Sequence, residues 1–282
     1  MKDKYIYLLL LVVLFISFYF LFDGKVVEMS EYYKVSGPVQ TQTLKSLVYL
    51  ERQDSAYTLD SLKKELEVFL QNQKGEWGIV VIDLTLNQKL YINENKRFHG
   101  ASTTKVLTAL SMFKKVEDGK DSLSRNVGGS KIEDLIKVML NKSDNDSWYL
   151  LNNMLGFVYM QKVGANLGME NFDLVINEVT AKDMAVLLES IYSSESLSPY
   201  HRNLLFQYMQ NTIVENRLPS GVPKGIPVIH KIGTYGTSIH DAGIVLSENP
   251  YILVAMSTGT TLETGTKSIQ EISKIVYNFI NK

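Results

Sequence analysis

The sequence predicts an α+β fold. An antiparallel sheet is flanked by N- and C-terminal helices, and an all-helical lobe is inserted between its strands. Three observations predict this. Strand-like runs occur early, at residues 77–83 and 89–92. Three more occur late, at residues 228–233, 238–246 and 251–257. Between the two groups apolar residues recur at helical spacing. Strands grouped at the two ends of a chain, with helices between them, indicate an antiparallel sheet with a helical insertion.

The elements follow in order. Leu62, Leu66, Phe69 and Leu70 share one face of a first helix. The two early strands turn at Asn87-Gln88. Residues 97–101 read as a loop entering a helix that carries Val106, Leu107, Leu110 and Phe113. Ser130-Lys131-Ile132-Glu133 has a capping-box pattern and opens a helix through Leu140. Residues 145–155 form the next helix, stopped by Gly156, and Thr180-Ala181-Lys182-Asp183 begins another through Ile191. Ser198-Pro199 opens one more, with proline at the favoured first position. Residues 219–227 are a loop, and the final helix carries Ile269, Ile272, Ile275, Val276 and Phe279.

The ends of the chain and its composition set the organisation. Of 282 residues, residues 5–22 carry no charge and follow Lys2 and Lys4. At 1.5 Å per residue this helix reaches roughly 27 Å, close to the hydrocarbon core of a bilayer. No small-residue cleavage site follows it, so an uncleaved anchor is favoured over a signal peptide. The expected organisation is an anchor over residues 1–22, a polar extracytoplasmic arm over 23–58 and one catalytic domain over 59–282. The lysines before the apolar run keep the N-terminus in the cytoplasm and leave the rest outside a cell membrane. The net charge of −1 argues against nucleic acid as a partner. The absence of cysteine excludes disulfides and thiolate metal sites. No histidine pair has helical metal-ligand spacing, and no cofactor or metal is expected. With His99, His201, His230 and His240 but no Gly-x-Ser-x-Gly elbow, a Ser-His-Asp hydrolase is set aside.

The chemistry centres on Ser102-Thr103-Thr104-Lys105. Residues three apart share a helix face, so Lys105 can reach Ser102 and act as its base if its pKa is depressed. Placed in the first turn of its helix, Ser102 would gain from free N–H groups and the helix dipole. The pattern alone is common: Ser61-Leu62-Lys63-Lys64 and Ser111-Met112-Phe113-Lys114 also match, on helices where both residues are expected to be solvated. Ser102 is distinguished by two later motifs. Ser143-Asp144-Asn145 lies 41 residues on, between two helices, and Lys231-Ile232-Gly233 lies on a strand. Taken singly, Ser143-Asp144-Asn145 is a plausible helix cap, and Lys162-Val163-Gly164 shows how cheap a Lys-x-Gly match is. Together, in this order and on these elements, they form three walls of one cleft.

From about residue 59 onward the chain resembles the penicillin-recognising serine hydrolases, and most of all their class A β-lactamase branch. The resemblance rests on Arg97-Phe98-His99-Gly100-Ala101-Ser102-Thr103-Thr104-Lys105, on Met139-Leu140-Asn141-Lys142-Ser143-Asp144-Asn145, on His230-Lys231-Ile232-Gly233-Thr234 and on His240-Asp241-Ala242-Gly243. It implies the β-lactamase/transpeptidase-like fold and an acyl-enzyme mechanism. Ser102 would attack, Lys105 would take its proton, and Ser143 would pass it to the leaving nitrogen. Asn145, Lys231, Gly233 and Thr234 would bind substrate, and the N–H groups of Ser102 and Thr234 would form the oxyanion hole. Lys231 would supply positive charge for a substrate carboxylate and help keep Lys105 neutral.

Two departures shape the expected function. Class A enzymes carry a deacylating glutamate on a long loop; here residues 167–180 are short and hold no Glu-x-x-Leu-Asn. Glu178, Glu170 and Asp173 are the carboxylates that could stand in, and Glu178 fits a charge near a helix N-terminus better. The family's hydroxyl in the third motif is replaced by Ile232, which removes a hydrogen bond worth about 1.5–3 kcal/mol to a charged group; Thr234, Thr237 or Ser238 could compensate. The reading is an anchored serine hydrolase, more DD-peptidase-like than an efficient β-lactamase. Its substrate would be a peptidoglycan stem peptide or a β-lactam. The alternatives are a true β-lactamase with a relocated carboxylate, and an acylated or non-catalytic sensor domain.

Overall fold

A computed structural model of the chain describes residues 58–194 and 196–282. The anchor expected over residues 5–22, and the arm but for Thr58, lie outside the described residues. Among the described residues no helix is long and apolar enough to cross a membrane.

A five-stranded sheet orders the domain. Its strands are β1 (Glu76–Asp83), β2 (Gln88–Ile92), β7 (Val228–Tyr235), β8 (Ser238–Val245) and β9 (Tyr251–Thr258), in the spatial order β2-β1-β9-β8-β7. Every pairing in it is antiparallel. The α+β arrangement expected from the sequence is present. β8 and β9 are buried almost throughout because both faces of the sheet are covered, which is why they read as continuous apolar runs.

One face carries Ile79, Val81, Leu253 and Ala255 against α1 (Leu59–Gln71) and α8 (Leu262–Ile280). The other carries Val80, Ile82, Val254 and Met256 against the helical lobe. Successive residues of a strand alternate between these two environments. The alternation places Lys231 on the lobe face of β7 and His230 on the face of the terminal helices. Fully burying one such aliphatic side chain contributes about 1.5–3 kcal/mol.

The lobe is built from α2 (Lys105–Glu117), α3 (Ile132–Asn141), α4 (Asn145–Leu155), α5 (Phe157–Asn166), α6 (Ala181–Tyr192) and α7 (Pro199–Tyr208). Local sequence explains several of their starts. Asp144 caps α4 by accepting from Ser147 N at 2.7 Å. Thr180 and Asp183 form a reciprocal capping box on α6, and Ser198 with Pro199 opens α7 as expected.

Three local expectations are corrected. Ser130 does not cap α3. It lies in β5 (Ser130–Lys131), paired with β4 (Asn126–Val127), and α3 begins without a side-chain cap. The first N–H groups of α3 are taken by the preceding segment instead: Ile132 N donates to Arg125 O at 3.0 Å and Glu133 N to Leu123 O at 3.1 Å. Residues 97–99 are not loop but β3 (Arg97–His99), paired with β6 (Glu178–Thr180). Ser111 is buried in α2 instead of solvated, while Ser61 is exposed on α1. The helix α5, after Gly156, was not foreseen; Gly156 has φ 75°, and it breaks α4 without ending the helical run.

Candidate active site

The candidate nucleophile sits on a turn held from two sides. After β3, Ala101 takes a left-handed conformation with φ 50°, which for a non-glycine residue costs about 1–3 kcal/mol and is typical of functional turns. The next turns are closed by short-range bonds: Thr103 N donates to Gly100 O at 3.0 Å, and Lys105 N donates to Ser102 O at 3.4 Å. Regular helix begins at Lys105, so Ser102 lies on the turn leading into α2 and not in its first α-helical turn.

Asn177, a residue that sequence reasoning passed over, clamps this turn. Its backbone O accepts from Gly100 N at 2.6 Å, its Nδ2 donates to Ala101 O at 2.9 Å, and its Oδ1 accepts from Thr104 Oγ1 at 2.8 Å. Gly100 is required here, because a Cβ would lie 2.7 Å from Thr104 Cγ2 and 3.0 Å from Asn177 Oδ1.

Two buried lysines meet at Ser143. Lys105 Nζ donates to Ser143 O at 2.6 Å and to Asn145 Oδ1 at 2.7 Å. Trp148 lies beneath that ammonium, 5.0 Å from Nζ to the ring centroid. Lys231 Nζ donates to Ser143 Oγ at 2.8 Å and to Ile232 O at 3.3 Å. Ser143 presents both acceptors at once because its φ is 61°, a conformation set by its place between α3 and α4.

The structure therefore brings Lys105, Ser143, Asn145 and Lys231 into one hydrogen-bonded cluster. The Ser102 hydroxyl is not among the partners of Lys105. Burial lowers Lys105 to about 8, against a smaller opposing pull from Asp144. Burial also lowers Lys231 to about 7, with the neighbouring Lys105 adding to the effect. Two close amines of this kind share their protons as a pair. Expectation gave the positive charge to Lys231 and the neutral amine to Lys105. The structure depresses both, because burial disfavours the charged form of each amine and the neighbouring Lys105 adds to the effect on Lys231.

The end of β7 forms the opposite wall. Gly233 lets the strand approach the nucleophile turn: a Cβ there would lie 3.1 Å from both Ala101 Cβ and Gly100 O. His240 Nε2 lies 2.9 Å from His99 O and ties β8 to β3. Thr234 is exposed at the cleft, and its Oγ1 accepts from Arg217 at 2.6 Å. Arg217 is 2% exposed and also donates to Gly233 O at 2.9 Å and His240 O at 2.6 Å.

Arg217 was not foreseen, since an arginine in a polar loop carries no motif. Its placement sets a buried cation behind the hydroxyl of Thr234, one of the three offered in place of the hydroxyl that Ile232 lacks. Ser238 is buried, with its Oγ 3.5 Å from Thr258 Oγ1. Ile232 shares its face with His230 and Thr234, away from Lys231.

The three carboxylates considered for deacylation are engaged elsewhere. Glu178 pairs with Arg97 at 3.5 Å, in the β3–β6 ladder. Asp173 accepts from Val175 N at 2.8 Å and closes a short hairpin with Glu178. Glu170 is exposed and pairs with Lys182 at 3.5 Å. The structure brings none of them into the Lys105–Ser143–Lys231 cluster. Among the described residues no group of His, Cys, Asp and Glu is arranged to hold a metal ion.

The model of the β-lactamase enzyme family matches residues 61–280. The extended-spectrum β-lactamase PER-1 of Pseudomonas aeruginosa is 24% identical over 267 residues, covering 77% of this chain and 87% of that protein. Among solved structures, PBP-A superposes with a TM-score of 0.73 at 24% identity, covering 78% of this chain and 96% of its own. The extended-spectrum β-lactamase TLA-1 superposes with a TM-score of 0.75 at 23% identity, covering 80% and 100%. These likenesses establish the fold, and the family match extends over most of the described domain.

Proposed function

The chain belongs to the β-lactamase enzyme family, a family of serine hydrolases, and from that premise we propose that Ser102 is acylated by D-alanyl-D-alanine peptides or β-lactams and is released slowly. The observation that carries the proposal is the junction of Lys105 and Lys231 on the two oxygens of Ser143. It sets one amine, Lys231, on the hydroxyl that would protonate a leaving nitrogen, and holds the other, Lys105, on the carbonyl of the same residue.

Ser102 Oγ attacks the amide carbonyl, and its proton passes to a neutral amine of the lysine pair. The N–H groups of Ser102 and Thr234 receive the oxyanion; one such donor is worth about 2.7–4 kcal/mol in the transition state. The C–N bond breaks as Ser143 Oγ gives a proton to the nitrogen and regains one from the lysines. Asn145, whose Oδ1 is held by Lys105, keeps its Nδ2 donor for a substrate amide. A substrate carboxylate would meet the Thr234 hydroxyl and the Arg217 guanidinium behind it.

Water must then release the acyl group. No carboxylate of the segment 167–180 is joined to the cluster to activate it. This supports a peptidase-like enzyme over an efficient β-lactamase. The uncharged run at residues 5–22 supports anchorage in the cell membrane with the domain outside, facing peptidoglycan.

Incubation of the full-length chain with a fluorescent penicillin, followed by mass analysis of the adduct, tests the acylation. A persistent adduct on Ser102, with hydrolysis of a D-alanyl-D-alanine peptide, is the expected result. A persistent adduct without peptide hydrolysis would indicate a sensor, and rapid turnover an efficient β-lactamase. Partition into membrane vesicles, lost on deletion of residues 1–22, tests the anchor.

A further inference from the structure

On the face of the sheet opposite Lys231, three side chains form an ion cluster that the acylation steps leave unused. His230 is fully buried. Its Nδ1 lies 3.0 Å from both oxygens of Asp241, itself fully buried, and its Nε2 lies 3.1 Å from Glu215 Oε1. An ionised carboxylate only accepts hydrogen bonds, so a neutral imidazole would set its bare nitrogen against one of them. The ring therefore donates from both nitrogens. Burial opposes that charge, but Asp241 and Glu215 outweigh it and raise His230 to about 9.

The other groups facing this ring are few. Thr212 Oγ1, from the segment after α7, lies 3.4 Å from Nε2, and Met209 O accepts the His230 backbone N–H at 2.9 Å. Arg217 stands within electrostatic reach of Asp241, and Lys231 faces the other side of the sheet.

The cluster brackets Arg217. Glu215 lies two residues before it and is held by His230. Leu218 lies one residue after it, and its N–H donates to Asp241 Oδ2 at 3.1 Å. The short 3-10 helix Leu218–Gly221 that follows is pressed on α8, where a Cβ on Gly221 would lie 2.4 Å from Ser273 Cβ. Arg217 is thus presented to Thr234 by a segment fastened on both of its sides. Its Nε has no partner of its own, so the fastening outside the guanidinium matters more.

We propose that His230 is a positioning residue for the carboxylate side of the cleft. Clasped between Glu215 and Asp241, it fixes the residues on either side of Arg217 and so sets where the Arg217 guanidinium and the Thr234 hydroxyl meet a substrate carboxylate. The inference rests on the acylation reading above for its substrate, not for its geometry.

The test uses the full-length chain with Glu215→Gln, which removes one charge at a half-exposed position and is expected to fold even if His230→Gln does not, as checked by thermal unfolding. Saturation kinetics of acylation are measured with penicillin G and with its methyl ester, in which the carboxylate is blocked. Loss of a charge-assisted contact predicts a binding constant for penicillin G weakened about 5- to 10-fold. The limiting acylation rate should stay within about twofold, the methyl ester should be unaffected, and Glu215→Asp should restore part of the loss. Equal effects on both substrates, an effect on the limiting rate alone, or no effect overturns the proposal. Nitrogen-15 spectra of the arginine guanidinium groups supply a readout without acylation. Glu215→Gln should shift the Arg217 signals, and unchanged signals overturn the clasp. A wild-type chain that penicillin does not acylate would instead refute the acylation reading, with the spectra still deciding the clasp.

Discussion

The two sides of the cleft are furnished unequally. On the nucleophile side, Lys105, Ser143, Asn145 and Lys231 are joined by hydrogen bonds of 2.6 to 2.8 Å, and Asn177 pins the turn that carries Ser102. On the side of residues 167–180, the segment is reduced to a tight hairpin whose acidic groups are spent on Arg97, Lys182 and the hairpin's own backbone. Making an acyl-enzyme and breaking it require different parts. On the proposed reading, Lys105, Ser143, Asn145 and Lys231 serve the first step and are joined to one another, while the carboxylates that could serve the second are not joined to them.

The comparison is broken most directly at Ser102. Ser102→Ala should abolish adduct formation, a loss of at least about 10³-fold, read by intact mass. Ser61→Ala, at a matching pattern on an exposed helix face, should leave the rate within about twofold. Retention of the adduct in Ser102→Ala would move the nucleophile elsewhere.

Removing the amine by Lys105→Met should slow acylation by about 10²–10⁴-fold. The same amines predict the pH profile. A free lysine releases its proton near 10.5, whereas burial brings Lys105 to about 8 and Lys231 to about 7. On the proposed mechanism the neutral amine is the acceptor, so acylation should rise from about pH 6 and level off only above about pH 9. A profile still climbing toward pH 10 would show that neither amine is the base.

Smaller effects sharpen the boundary between the two sides. Asn177→Ala removes two side-chain hydrogen bonds from the nucleophile turn and should slow acylation about 10-fold, with a parallel fall of about 1–3 kcal/mol in unfolding free energy. A loss of stability without a loss of rate would separate the clamp from the chemistry. Smallest of all, Glu170→Gln, Asp173→Asn and Glu178→Gln should each leave adduct decay within about twofold. A tenfold slowing in any one would identify a deacylating base and overturn the contrast.

Much of this was legible in the sequence, for physical reasons. Buried strands must be apolar, so β1, β8 and β9 announced themselves. Lys105, Ser143, Asn145 and Lys231 were singled out by motif, and the structure joins them in one hydrogen-bonded cluster. Residues that act by position alone left weaker traces. Asn177 works through a left-handed backbone with φ 53° and three hydrogen bonds, none visible in spacing. Arg217 reaches Thr234 only because the chain folds back over the sheet, a contact between residues 17 apart with no periodic signature. His230 and Asp241 belong to recognisable motifs, but their pairing follows from strand register, where His230 faces Gly243 and Asp241 faces Ile232. The short pair β3–β6 escaped because three residues are too few to show alternation.

The contrast between the two sides is tested most directly by timing both halves of the reaction in one experiment. The full-length chain is mixed with a stoichiometric amount of penicillin G, quenched over milliseconds to hours and weighed intact. The account predicts that the Ser102 adduct accumulates to near one equivalent and then decays far more slowly than it formed. An adduct that never accumulates while penicillin is consumed would contradict it, because the deacylating apparatus would then be as complete as the acylating one.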